Sequence, residues 1–148
     1  MTELLNKVKL SQWDALLLES LRGRGWSDEQ LLGITDAGEL PADESVFEFD
    51  YQQLQATAKA QPEAFRKAVT SGYQIKYNTI RGIRSWIVVA FGKEAHLELE
   101  EGREAVEAAL TEAEKERLEE VLSYGWRIVP VSAADNGLAQ YRIEPVQR

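Results

Sequence analysis

Three times in this chain an amphipathic run stops at a glycine followed at once by an aromatic: SLRGRGW (20–26), VTSGY (69–73) and VLSYGW (121–126). A glycine just past a helix accepts the left-handed backbone that other residues resist, and the apolar residue after it packs back on the last turn. The three phrases therefore predict three helix ends. Their flanks do not align, so they are shared punctuation and not an internal repeat.

The predicted helix starts are also local. Ser11 precedes a run in which Trp13, Leu17, Leu18 and Leu21 recur at helical spacing, and Ser27 with Gln30 forms a capping box for a short second helix. Residues 35–45 are turn-rich and read as a loop. VFEF (46–49) alternates like a short strand, Asp50 with Gln53 opens YQQLQATAKA, and Pro62 suits the first position of PEAFRKAVTS. Tyr73, Ile75 and Tyr77 alternate with polar residues, a strand pattern.

Residues 79–92 point two ways. Ile80, Ile83, Ile87 and Ala90/Phe91 fit a helix with Thr79 as N-cap and Gly92 as C-cap. Trp86–Phe91 is rich in strand formers, and Gly82 would cost a helix interior about 1 kcal/mol. The helix is favoured. HLELE (96–100) reads as a strand with Leu97 and Leu99 inward, followed by helical stretches REAVEAAL and EAEKERLEEVLSY, the second opened by a Thr111/Glu114 capping box. WRIVPV and LAQYRIEPV, joined through SAADNG, form a C-terminal hairpin whose prolines end the strands or place them at edges.

The predicted fold class is α+β: a helical N-terminal hairpin, then mixed helices and a small, largely antiparallel sheet ending in the C-terminal hairpin. At 148 residues the chain is expected to form a single domain, 1–148, with 1–40 as the helical hairpin and 46–148 as the α+β body. The absence of cysteine excludes disulfides, thiol catalysis, iron–sulfur clusters and Cys-based zinc sites. The first ten residues are too charged for a secretory signal, and the longest apolar run, Trp86–Phe91, is far short of the roughly 20 residues that span a bilayer. A cytoplasmic location, with no membrane partner, is therefore expected.

Charge is segregated along the chain. Residues 1–65 carry 5 basic and 12 acidic side chains, and residues 94–120 carry 3 and 11. Between them, residues 66–93 hold Arg66, Lys67, Lys76, Arg81, Arg84 and Lys93 and no acid, in a chain of net charge −8. Three explanations compete. The acidic stretch 98–120 could lie across the basic one, or the segment could simply be core, where carboxylates are excluded by desolvation. Alternatively, a helix from Thr79 with Arg81 and Arg84 on one face would suit phosphate or carboxylate, with Tyr73 or Tyr77 stacking on a ring. The third possibility is the outline of a helix-turn-helix at 13–34, with Arg22 and Arg24 in its turn, although its second helix opens with two acids where DNA would sit.

Enzyme signals are sparse. His96 is the only histidine, no nucleophile elbow surrounds Ser71, Ser85 or Ser132, and there is no phosphate loop, dinucleotide fingerprint or EF-hand. Pairs such as Glu98/Glu100 arise freely among 25 acids and read as a solvated face. The sequence thus leads to a small binding or regulatory domain with no cofactor and no metal, engaging an acidic protein or a phosphate-bearing ligand. Its predicted contact residues are Tyr73, Lys76, Tyr77, Thr79, Arg81 and Arg84. The alternative is a nucleic-acid-binding regulator using the same face. The terminal strand, if at an edge, would also let two copies pair as a homodimer.

Overall fold

The computed structural model describes residues 8–43, 45, 47–132 and 136–147. Strand β1 (Val8–Leu10) leads into helix α1 (Gln12–Gly23), and β2 (Tyr73–Ile75) leads into helix α5 (Ile80–Phe91). Between them lie α2 (Asp28–Leu32), a 3-10 turn at Ile34–Asp36, α3 (Gln52–Ala60) and α4 (Pro62–Ser71). β1 and β2 pair in parallel, Val8 opposite Tyr73 and Leu10 opposite Ile75. Gln12 at the start of α1 bonds Thr79 at the start of α5, and Gly23 at its far end faces the Val89 carbonyl. The two strand–helix units therefore run side by side in one direction.

The second half adds β3 (His96–Glu98), β4 (Ala105–Leu110), helix α6 (Glu112–Val121), β5 (Trp126–Pro130) and β6 (Ala139–Pro145). These strands form an antiparallel sheet in the order β3-β4-β6-β5. The fold is α+β, and its C-terminal strand pair is present as expected. Helix α5 packs on α1 and also on β3 and β4, so it joins the two halves. A single buried cluster runs from Leu10 to Ile143, with Leu17, Leu18, Ile83, Trp86 and Ile87 near its middle. Each such side chain contributes about 1.5–3 kcal/mol on burial.

Most helix boundaries follow the local chemistry. Ser11 accepts from the Asp14 N–H, and Thr79 from the Gly82 N–H. Both capping boxes close, at Ser27/Gln30 and at Thr111/Glu114. Pro62 opens α4, and Gly92 ends α5 in the left-handed region. After α1, the Gly25 N–H reaches Arg22 O and the Trp26 N–H reaches Leu21 O, so the first glycine–aromatic stop behaves as expected. Ile80–Phe91 is helical with Thr79 as its N-cap, and the strand alternative is not what forms.

Four expectations are corrected. REAVEAAL is not a helix: Ala105–Leu110 is a strand held between β3 and β6, burying Val106, Ala108 and Leu110. Pairing on both sides overrides the helical preference of Ala and Glu. VFEF does not form the predicted strand. Val46 lies outside the described residues, and Glu48 turns the chain with φ 50° while Asp43 accepts from the Ser45 and Phe49 N–H groups. The third stop, VLSYGW, ends its helix early, at Val121. Asn78 exchanges hydrogen bonds with Ser123, and Gln74 donates to Leu122 O, which draws this stretch out of the helix. Gly25 and Gly72 end helices with positive φ, whereas Gly125, φ 98°, shapes the turn into β5. Finally, Leu99 is exposed beyond the end of β3, not inward.

Among the described residues no helix is long and apolar enough to cross a membrane. Residues 133–135 of the SAADNG connection lie outside the described set. β6 is an inner strand between β4 and β5, so the proposed edge pairing of two copies through it is not available.

Candidate functional site

The link from β2 to α5 positions most of the predicted contact residues. Lys76 extends the parallel pairing by one bond, its N–H donating to Leu10 O at 2.8 Å. Asn78 then turns inward, 3% exposed: its N–H donates to Ser123 Oγ at 3.0 Å, and its Oδ1 accepts from the Ser123 N–H at 2.7 Å. Gln12 Oε1 accepts from the Thr79 N–H at 3.0 Å and from Asn78 Nδ2 at 3.3 Å, while its Nε2 donates to Thr79 Oγ1 at 3.2 Å. With Asn78 clasped on one side, Tyr77 is left facing solvent, 77% exposed.

The six predicted residues separate. Tyr73 is 1% exposed and belongs to the core, so it cannot stack on a ligand. Tyr77 and Thr79 border a groove of about 590 Å³, together with Ile80, Trp126, Glu101 and Glu104. Lys76 borders a different groove of about 320 Å³, with Lys9, Asp14 and Gln61. Arg81 is exposed and Arg84 half-buried, three residues apart on α5, and among the described residues neither has an ion-pair partner.

The rest of the acid-free window disperses further. Arg66 sits beside Leu32 and Thr35 on another side of α4, and Lys93 pairs with Glu114 and donates to Ala109 O. The acidic stretch therefore meets the basic one at Lys93 but not at Arg81 or Arg84. In the helix-turn-helix outline, both turn arginines are engaged internally. Arg22 holds Glu19, Asp28 and Val69 O, and Arg24 holds Tyr51, Ala42 O and Asp43. That removes the cations a phosphate would need there.

The strongest polar cluster is one no local pattern announces. Glu19, 2% exposed, accepts from Tyr73 OH at 2.7 Å, from both Arg117 Nη atoms at 3.2 and 2.7 Å, and from Arg22 Nη1 at 3.2 Å. Trp86 Nε1 donates to Tyr73 OH at 2.9 Å, and the Arg117 guanidinium lies over the Trp86 ring. Burial, and then the Glu19 carboxylate, push the Tyr73 phenol well above its ordinary range. Burial works to lower the pKa of Arg117, but the charge and hydrogen bonds of Glu19 outweigh it and raise it. Perturbed groups of this kind often mark active sites. Here Glu19, Tyr73, Trp86 and Arg117 line none of the grooves described, and no buried side-chain polar atom among the described residues lacks a partner, so the cluster holds α1, β2, α5 and α6 together.

His96 is exposed on β3, opposite Glu107, and borders none of these grooves. Among the described residues no group of three or more His, Asp or Glu side chains is placed to hold a metal ion. The large groove offers aromatic walls and two carboxylates, an arrangement suited to holding a ligand. Sequence reasoning missed Trp126, Glu101 and Glu104 because they reach the groove from segments that only the fold brings beside Tyr77. Comparison with protein-family models, with curated proteins and with solved structures finds no match for this chain.

Proposed function

We propose that the chain is a small, non-enzymatic, cytoplasmic binding or regulatory domain that engages an acidic protein or phosphate-bearing partner. Its contact surface is the flank formed by the first half of α5, where Thr79 caps the helix and Arg81 and Arg84 follow three residues apart; Lys76 borders a separate groove and is not part of it. The observation that carries this reading is the pair Arg81 and Arg84. In a chain of net charge −8 they have no acidic partner among the described residues, while Lys93 from the same segment is paired. Guanidinium groups left without an ion-pair partner at this spacing suit phosphate or carboxylate oxygens.

A second reading, nucleic-acid binding near the start of α5, is favoured by the exposure of Tyr77 two residues before the Thr79 cap, since an exposed ring suits stacking on an unpaired base. The test uses immobilised polyphosphate, immobilised polyglutamate and a single-stranded oligonucleotide at low salt. Retention on at least one, falling steeply with salt and lost in Arg81→Glu/Arg84→Glu, supports the flank. Loss of oligonucleotide binding alone in Tyr77→Ala would favour nucleic acid. If no polyanion is retained, or if the double reversal leaves retention unchanged, the flank is not a polyanion-binding surface.

A further inference from the structure

The groove between the two halves of the fold has the opposite chemistry to the cationic flank. Three separate segments build it: Tyr77–Ile80 from the β2–α5 link, the 101–104 turn between β3 and β4, and the paired ends of β5 and β6. Trp126 stands opposite Pro145 in the strand register, and the Val146 N–H donates to Gly125 O at 2.8 Å, so this wall is fixed by the sheet. Tyr77 is held outward by the inward clasp of Asn78 beside it. Its volume, about 590 Å³, falls within the range of pockets that enclose small ligands.

The lining decides the class of ligand. Tyr77 and Trp126 supply aromatic faces, Ile80 and Pro145 add apolar surface, and among the described residues the charged side chains bordering the groove are Glu101 and Glu104. Neither Arg81 nor Lys76 borders it. Aromatic faces attract cations through their quadrupole, carboxylates attract them by charge, and both disfavour an anion. We propose that this groove binds a small organic cation, an ammonium or guanidinium group on a short alkyl stem, with the charged head toward Glu101 and Glu104 and the stem against Tyr77, Ile80 and Trp126. The net charge of −8 favours the approach of such a ligand at low salt. The groove shares Tyr77 and Thr79 with the surface proposed above but not Arg81 or Arg84, so Arg81→Glu/Arg84→Glu tests that surface alone and Glu101→Gln/Glu104→Gln tests the groove alone.

The experiment titrates the full chain with butylammonium, butylguanidinium and the neutral analogue butanol, following the Trp126 indole resonance assigned through Trp126→Phe. The expected result is saturable binding of at least one cation and none of the alcohol. Binding should weaken roughly fivefold to tenfold in Glu101→Gln/Glu104→Gln and be lost in Tyr77→Ala. Unfolding midpoints of both variants near that of the parent show that neither change acts by unfolding the protein. A capped lysine- or arginine-containing peptide forms the last arm. Binding of the peptide without the free cations would overturn the small-ligand proposal in favour of a basic protein segment. Equal binding of butanol and the cations, or no saturable shift with any probe, would overturn it altogether.

Discussion

Two sets of charged side chains in this molecule differ in almost every respect. Around Glu19 two of the three partners come from far along the chain, Tyr73 at 54 residues and Arg117 at 98, beside Arg22 one turn on, and the carboxylate they surround is buried. Along the first half of α5, Arg81 and Arg84 lie close in sequence, reach solvent and have no ion-pair partner among the described residues. A buried charge is tolerated only when its hydrogen-bonding capacity is met, so the first set commits the fold to one arrangement. An exposed cation carries no such requirement, so the second set is free to meet something else. Long-range, matched charge marks what holds this structure together, and short-range, unmatched charge marks what it can offer.

The largest expected effect is at Glu19. Glu19→Ala removes the acceptor of the buried Tyr73 hydroxyl and of the Arg117 guanidinium, which itself reaches solvent, and should cost about 2–3 kcal/mol in urea unfolding. Arg117→Met should cost less, about 1–2 kcal/mol, because Glu19 keeps the Tyr73 hydroxyl and Arg22 as donors. The two together should cost less than their sum, because each single change leaves the other partner short of hydrogen bonds. A loss below about 1 kcal/mol for Glu19→Ala would erase the contrast, since the buried set would then be no more structural than a surface pair.

A smaller effect tests how the two strand–helix units are held side by side. A Cβ on Gly82 would lie 1.9 Å from the Gln12 side-chain amide, which binds Thr79 and Asn78. Gly82→Ala should therefore destabilise by about 1–2 kcal/mol by displacing Gln12, even though alanine is the better helix former by about 1 kcal/mol. In a Gln12→Ala background the same change should be neutral or stabilising. Equal effects in both backgrounds would mean that the clasp does not set the approach of α1 to α5.

The sequence revealed what is local and little of what is not. Ser11, Ser27 with Gln30, Thr79 and Thr111 with Glu114 were readable as helix starts because each cap and its target lie three residues apart. β4 was not readable: AVEAAL is composed of helix formers and becomes a strand only because β3 and β6 flank it. β1, with only three residues, was overlooked because its partner lies 65 positions on. The same division applies to the candidate site. The acid-free window was visible as a count, but folding sends Arg66, Lys76, Arg84 and Lys93 to different surroundings and buries Tyr73. The groove was invisible because Tyr77, Glu101 and Trp126 share no sequence pattern, only a place in the fold.

The smallest effect compares two cations of that window directly. Lys93 pairs with Glu114, both partly buried, whereas Arg84, less than three turns earlier, has no such partner among the described residues. Burial alone would raise the Glu114 pKa, but Lys93 and the Thr111 N–H outweigh it and hold the carboxyl below its usual 4.5. A carboxyl depressed in the folded state stabilises the protein above its unfolded pKa, and that contribution fades as pH falls through the folded value. Asp43, lowered against the pull of burial by Phe49, Ser45 and Arg24, works in the same direction. Lys93→Met should thus cost about 0.5–1 kcal/mol at pH 7, and its deficit relative to the parent should shrink as the pH drops from 5 toward 3. Arg84→Met should leave stability within about 0.5 kcal/mol at every pH in that range. If Arg84→Met instead reproduced the acid-dependent deficit of Lys93→Met, Arg84 would be serving the fold, and the distinction between held and offered charge within the acid-free window would fail.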